Sequence, residues 1–261
     1  MSETLSALAQ SARRHDPDRF FCVLFAPPDR RETLWLLVAF NHELARAREV
    51  TREPMLARIR LQWWREVVEG ARRRHEVAGP LGEALDAGRL DARDLMAMID
   101  AREIEAEPEI ETFAAWRDYV RGTAGGWAVA AGRALLGRDG AALDGLRDLG
   151  AVYGVAGQLR NIPVLARRGL CRLPADLLAS HGLSPAHVVA RPDDPALRPV
   201  LDTLADWGRA VARTRVPRAL RAAALPAVLG RRDLRAMRLD RQHGVADRLA
   251  VAWAALGFSA L

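Results

Sequence analysis

Apolar residues recur at three- and four-residue intervals along almost the whole chain, and no stretch sustains an apolar–polar alternation. The first spacing lines one face of a helix and the second would line one face of a strand, so the pattern predicts an all-α protein. Behind Pro27-Pro28, a helix is predicted over 28–50 with Leu34, Leu37, Val38, Asn41 and Ala45 on an inward stripe. A second is predicted over 53–74, with Leu56, Ile59, Trp63 and Val67 on one face, ended at Gly79-Pro80. A short helix over 81–87 and a longer one over 91–105 follow, the latter capped by Asp91. Two long helices over 112–136 and 141–166 flank the turn 137–140, and Gly122, Gly125 and Gly126 sit inside the first. After Leu173-Pro174 come short helices and a loop at 191–195, then helices over 196–213, 218–229 and 245–256.

No repeat and no long linker interrupts this pattern. The expectation is one domain over 1–261, too large for a simple four-helix bundle, with residues 1–17 as a flexible lead. Half of the 261 residues are hydrophobic, enough for a packed core. No apolar run reaches the ~18–20 residues that span a bilayer, and the polar Met1–Asp18 stretch has no signal-peptide core. A cytoplasmic location is therefore expected, with peripheral contact at the inner membrane. Residues 249–256 read either as a core helix closing the bundle or as a peripheral insertion helix beside an arginine-rich surface.

Composition narrows the chemistry. The chain has no lysine, so all 39 basic residues are arginine. That removes P-loop, Schiff-base and pyridoxal-phosphate chemistry together. The arginine and alanine bias fits a GC-rich bacterial genome. The +6 net charge is compatible with phosphate-bearing partners, but no nucleic-acid-reading motif accompanies it, so nucleic acid is not an expected partner. Cys22 and Cys171 fit a reducing compartment. The six histidines show no metal spacing, and Gly122–Gly126 follows no strand, so it reads as close helix packing rather than a phosphate loop. The pairs Asp144/Asp148 and Asp202/Asp206 place two carboxylates on one helix face, but among arginines on polar stretches they read as solvated.

Seven segments in order carry more. These are Phe20 to Pro28, Leu36 to Phe40, Leu61-Gln-Trp-Trp-Arg65, Met98 to Arg102, Tyr119 to Gly125, Gly157 to Ile162, and Arg168 to Pro174. Their succession resembles the squalene/phytoene synthase family. Within it, Ala39 to Ala45 followed by Gln62-Trp-Trp-Arg65 is closest to the branch containing the mitochondrial complex I assembly factor and its bacterial relatives. The resemblance implies an isoprenoid-synthase-type bundle of long helices around a central apolar cavity. Active members join two prenyl diphosphates head to head, with two Asp-rich helical motifs holding Mg²⁺ against the leaving group.

Both motifs depart from the family's pattern in this chain. The first falls on residues 41–49, beginning at Asn41, where Ala45 and Arg46 stand in the places of paired aspartates and Glu49 keeps a carboxylate. The second falls on residues 158–165, where Gln158 and Asn161 match, Arg160 is a new cation and Leu165 stands for an aspartate. Exchanging acids for cations inverts the local charge. Arg46, Arg160, Arg168 and Arg172 become candidates for direct phosphate binding, with no metal site and no catalytic residue. Arg46 and Arg160 are expected to approach each other, neutralised by Glu49 and by Glu103 or Glu105. The resemblance thus implies a catalytically degenerate homologue, a pseudoenzyme serving assembly or maturation of a membrane complex, or binding an isoprenoid or anionic lipid. No cofactor is expected. The alternative is an active prenyl transferase with a rewired diphosphate site, which would need Mg²⁺.

Overall fold

A computed structural model describes residues 5–49, 53–137, 140–211, 215–237 and 243–257, the side chain of Glu49 excepted. In chain order the helices are α1 (Ala7–His15), α2 (Pro17–Val23), α3 (Pro28–Glu49), α4 (Pro54–Val68), α5 (Ala78–Asp86), α6 (Ala92–Asp100), α7 (Phe113–Val120) and α8 (Gly126–Leu136). Then come α9 (Ala142–Arg160), α10 (Ile162–Arg167), α11 (Ala175–Ser180), α12 (Pro185–Ala190), α13 (Arg198–Val211), α14 (Arg221–Ala224), α15 (Pro226–Ala236) and α16 (Val245–Ala255). Among the described residues there is no strand, only an isolated bridge between Ile110 and Pro174. The all-α expectation holds.

Helix α9 is the axis of the bundle, packed against α8, α13 and α15. Small residues make that possible. A Cβ on Gly150 would lie 2.5 Å from the Ala124 carbonyl oxygen, and one on Gly230 of α15 would lie 2.7 Å from that of Val152. Helix α8 is apolar around most of its circumference, with Trp127, Ala128, Val129, Ala130 and Ala131 all buried, as suits a helix enclosed by others. The glycines at 122–126 serve the same close approach: a Cβ on Gly125 would meet the Arg147 carbonyl at 2.5 Å. Here the helix predicted over 112–136 widens into one π turn, Arg121–Gly125, between α7 and α8. The Thr123 hydroxyl donates to the Tyr119 carbonyl, 2.8 Å, within the widened turn.

Four expectations need correction. The first 17 residues are no flexible lead from Leu5 onward: α1 packs on α3, and Ala9 and Ala12 are fully buried. Helix α4 stops at Val68, not Arg74, because Gly70 takes φ +110°, a left-handed-region geometry that ends a helix. Gly79-Pro80 lies in the first turn of α5 rather than breaking a helix, since proline there loses no hydrogen bond. The buried face of α4 is also rotated from the predicted one. Ala57, Leu61, Trp64, Val67 and Val68 face the core, and Trp64 meets Phe40 edge-on at 5.4 Å. Leu56 and Ile59 are exposed. Two apolar stripes compete on this helix, and the one with Ala57 lets α4 approach α3.

Candidate functional site

Helices α3, α7 and α9, the loop after α6 and the residues from His15 to Arg19 enclose a cavity of about 340 Å³. It was expected to be apolar. Its wall instead carries Asp16, Asp18, Arg19, Arg48, Arg102, Glu105, Arg160 and Arg172, while small residues such as Ala45, Ala124, Gly154 and Gly157 leave the space. A larger groove, about 590 Å³, between Val67 and Arg93 receives none of the predicted site residues.

The positions of the two motifs follow from helix geometry. Asn41, Ala45 and Arg48 are four and three residues apart and share the face of α3 that lines the cavity. Gln158, Arg160, Asn161 and Leu165 line it from α9 and α10. Asn41 is buried, on the stripe with Leu34, Leu37 and Val38 as predicted. Arg46 is one residue round from Ala45 and points elsewhere. It pairs with Glu43 at 3.0 Å, half exposed, in a surface hollow with Arg60, Trp63 and His75. Arg46 and Arg160 therefore do not meet, and Arg48 is the cation that α3 presents. Arg168 is exposed and outside the cavity wall. The Glu49 side chain lies outside the described residues.

A continuous polar network crosses the cavity between the motifs. The Gln158 amide donates to the Tyr119 hydroxyl at 3.1 Å, and that hydroxyl donates to Glu105 Oε1 at 2.7 Å. Arg102 donates to the same carboxylate oxygen at 2.6 Å and to Asn41 Oδ1 at 3.3 Å. Burial and the Glu105 charge together push the Tyr119 hydroxyl far above its ordinary pKa, so it stays protonated and donates. The Glu105 backbone carbonyl accepts from Arg48 Nε at 3.0 Å and from Arg172 Nη2. Arg172 Nη1 also donates to the Glu107 carbonyl at 3.1 Å. Burial, then the nearby Arg172, pulls Arg48 below its ordinary pKa. Gln158 Oε1 is buried without a hydrogen-bond partner. Of the two acids expected to neutralise this region, Glu105 does so, while Glu103 pairs with Arg65 on the surface at 2.7 Å.

A second cluster adjoins the first. His243 is enclosed (side chain 3% exposed) between Asp18, at 2.7 Å from Nδ1, and Asp233, at 3.1 Å from Nε2. Burial alone would lower its pKa, but the two carboxylates override burial and raise it to about 9. His243 is thus an imidazolium donating from both nitrogens. Arg160 reaches the same Asp233 at 2.8 Å. Burial favours a neutral Asp18, yet His243, Arg160 and the Tyr153 hydroxyl outweigh it and hold the carboxyl below its usual range. Sequence reading gave Tyr119, Arg102, Asp18, Asp233 and His243 no site role. A lone histidine far from any motif offers no spacing to read, and Tyr119 and Arg102 were visible only inside the segments of the resemblance.

The profile described as squalene/phytoene synthase matches residues 12–255. The chain belongs to the squalene/phytoene synthase family. Solved structures agree on the fold. A dehydrosqualene synthase in complex with a ligand superposes with a TM-score of 0.77 at 13% identity, covering 96% of this chain and 94% of that one. The squalene synthase HpnC from Alicyclobacillus acidocaldarius gives 0.69 at 19% identity over 88% and 91%. Among curated proteins, the NADH dehydrogenase (ubiquinone) complex I assembly factor 6 of mouse and of human are each 27% identical over 198 residues, which is 74% of this chain. The match spans 60% of the length of those relatives. This family member therefore combines a synthase fold with sequence similarity to assembly factors.

Proposed function

We propose that this chain is a non-catalytic member of its family that serves assembly or maturation of a membrane complex and holds an anionic isoprenoid or lipid head group in its cavity. The charge around the cavity carries this reading. Five arginines face three carboxylates there, and every one of those carboxylates is engaged: Asp16 by Arg19, Asp18 by His243, Glu105 by Arg102 and Tyr119. Magnesium requires several oxygen ligands at ~2.0–2.1 Å in near-octahedral array. Among the described residues no three His, Cys, Asp or Glu side chains come together in that way. This donor set does not fit a magnesium–diphosphate centre, and no ionisation step follows from it. Guanidinium groups do match phosphate oxygens, in charge and in fork geometry. The unpartnered Gln158 Oε1 leaves one acceptor for a ligand hydroxyl or a water.

The names of the curated relatives support the assembly half of the proposal, with an NADH dehydrogenase-type complex as the client. Deleting the gene and measuring assembled NADH dehydrogenase in membranes tests it. Loss of the complex, restored by the full chain, is the expected result, and an undiminished complex would overturn it. The rival reading, prenyl transfer at a diphosphate site rebuilt on arginines and Glu49, shares the anion-binding chemistry and differs by turnover.

A further inference from the structure

Helix α16 packs on α15 with one face and leaves the other open. Val245, Leu249, Trp253 and Leu256 recur at intervals of four, four and three, which aligns them along the open face. They are 75%, 65%, 57% and 67% exposed. Among the described residues α4 also exposes three large apolar side chains, Met55, Leu56 and Ile59, while α16 with its C-cap Leu256 exposes four. Beside them runs a groove of about 550 Å³ whose α15 wall is formed by Val228, Arg231, Arg232 and Arg235.

The charges on these two helices are sorted by depth. Their only carboxylates, Asp233 and Asp247, are 2% and 0% exposed. Asp233 is held by Arg160 and His243, and Asp247 by Arg232 at 2.9 Å and the Gly244 N–H at 3.0 Å. Arg235 and Arg248 are exposed. Burial, then Arg235, lowers the pKa of Arg231, so adjacent cations crowd this groove. The open surface of α15 and α16 is thus apolar and cationic, with no carboxylate exposed on either helix.

From this surface we infer a docking face for an anionic lipid bilayer, with the α16 stripe inserted at the level of the acyl boundary and Arg231, Arg235 and Arg248 on head-group phosphates. A protein partner would need an acidic groove of matching shape, whereas a bilayer supplies apolar depth and a diffuse anionic layer at once. Trp253 suits such a boundary, since its ring is apolar and its N–H finds polar partners. At eleven residues, α16 is ~16 Å long, so it lies along a bilayer ~30 Å thick rather than across it. The inference goes beyond the proposed function and stands whether or not the client is an NADH dehydrogenase.

Flotation of the full chain with phosphatidylcholine vesicles, with and without one-third phosphatidylglycerol, tests it. Binding is expected only with phosphatidylglycerol and should weaken as salt rises. Leu249→Glu with Trp253→Glu should abolish it. Arg235→Glu and Arg248→Glu should each cost at least about fivefold, the equivalent of ~1 kcal/mol per arginine near an anionic surface. All four side chains are exposed, and unchanged melting will show that the variants fold. As a control, Met55→Gln with Ile59→Gln on the exposed face of α4 should leave binding intact. Equal binding to both vesicles, loss in the α4 control, or binding unaffected by the α16 variants would overturn the inference. So would a concentration-dependent dimer that α16 variants dissolve while vesicles stay unbound.

Discussion

Glu105 is the residue on which the central cavity depends. Its side chain accepts from Arg102 and Tyr119, and its backbone carbonyl from Arg48 and Arg172, so one acid gathers groups from α3, α7 and the segments after α6 and α10. Glu105→Ala takes the carboxylate away from the Arg102 guanidinium, whose side chain is 12% exposed. Removing one member of a buried pair costs ~3–5 kcal/mol, and equilibrium urea unfolding should show a loss in that range. The Arg46–Glu43 pair offers the contrast. With Arg46 48% exposed, Arg46→Ala should change stability by less than ~1 kcal/mol in the same assay. His243 makes a prediction about pH. Its pKa is raised in the folded state, to about 9 from 6.5. The stability it adds is therefore fully present below pH 6.5 and is lost as pH rises through 9. Melting temperature should fall across that window, and His243→Asn should flatten the fall. A wild-type curve as flat as that of the variant would contradict the assigned imidazolium.

At the scale of elements, close approach between small-residue faces sets the geometry. Gly150→Ala would drive a methyl group to within 2.5 Å of a backbone carbonyl that cannot swing away. The strain is expected to cost ~1–3 kcal/mol. Gly79, with nothing within 4 Å of its added Cβ, should instead gain ~0.4–1 kcal/mol as alanine, because the unfolded chain loses freedom and the first turn of α5 tolerates the side chain. Urea unfolding of both variants checks the opposite signs. These elements also show what a sequence makes legible. Helix α3 could be read because the unbroken apolar run Leu34–Phe40 leaves no alternative to burial, and Thr33 to Asn41 are in fact buried all round the helix. Helix α4 misled because Leu56, Ile59 and Trp63 form a second stripe, and only the partner helix decides which stripe turns inward. The π turn at Arg121–Gly125 breaks the 3.6-residue period that defines a helix in sequence, so the helix predicted over 112–136 runs straight through it. Cavity polarity was the least legible feature. Arg102, Glu105 and Tyr119 are distributed over separate elements, and their convergence is a property of tertiary packing.

At the scale of the molecule, a fold that closes around a cavity has been combined with a wall of arginines. On the proposed function this cavity holds an anionic isoprenoid without consuming it. Incubation of the pure protein with radiolabelled farnesyl diphosphate, with and without Mg²⁺, separates holding from consumption when ligand binding and product formation are followed in one sample. Binding is expected to persist without Mg²⁺, to be weakened by Arg48→Glu, and to be followed by no product above a heat-inactivated control. Mg²⁺-dependent conversion of the diphosphate to a longer hydrocarbon would contradict it.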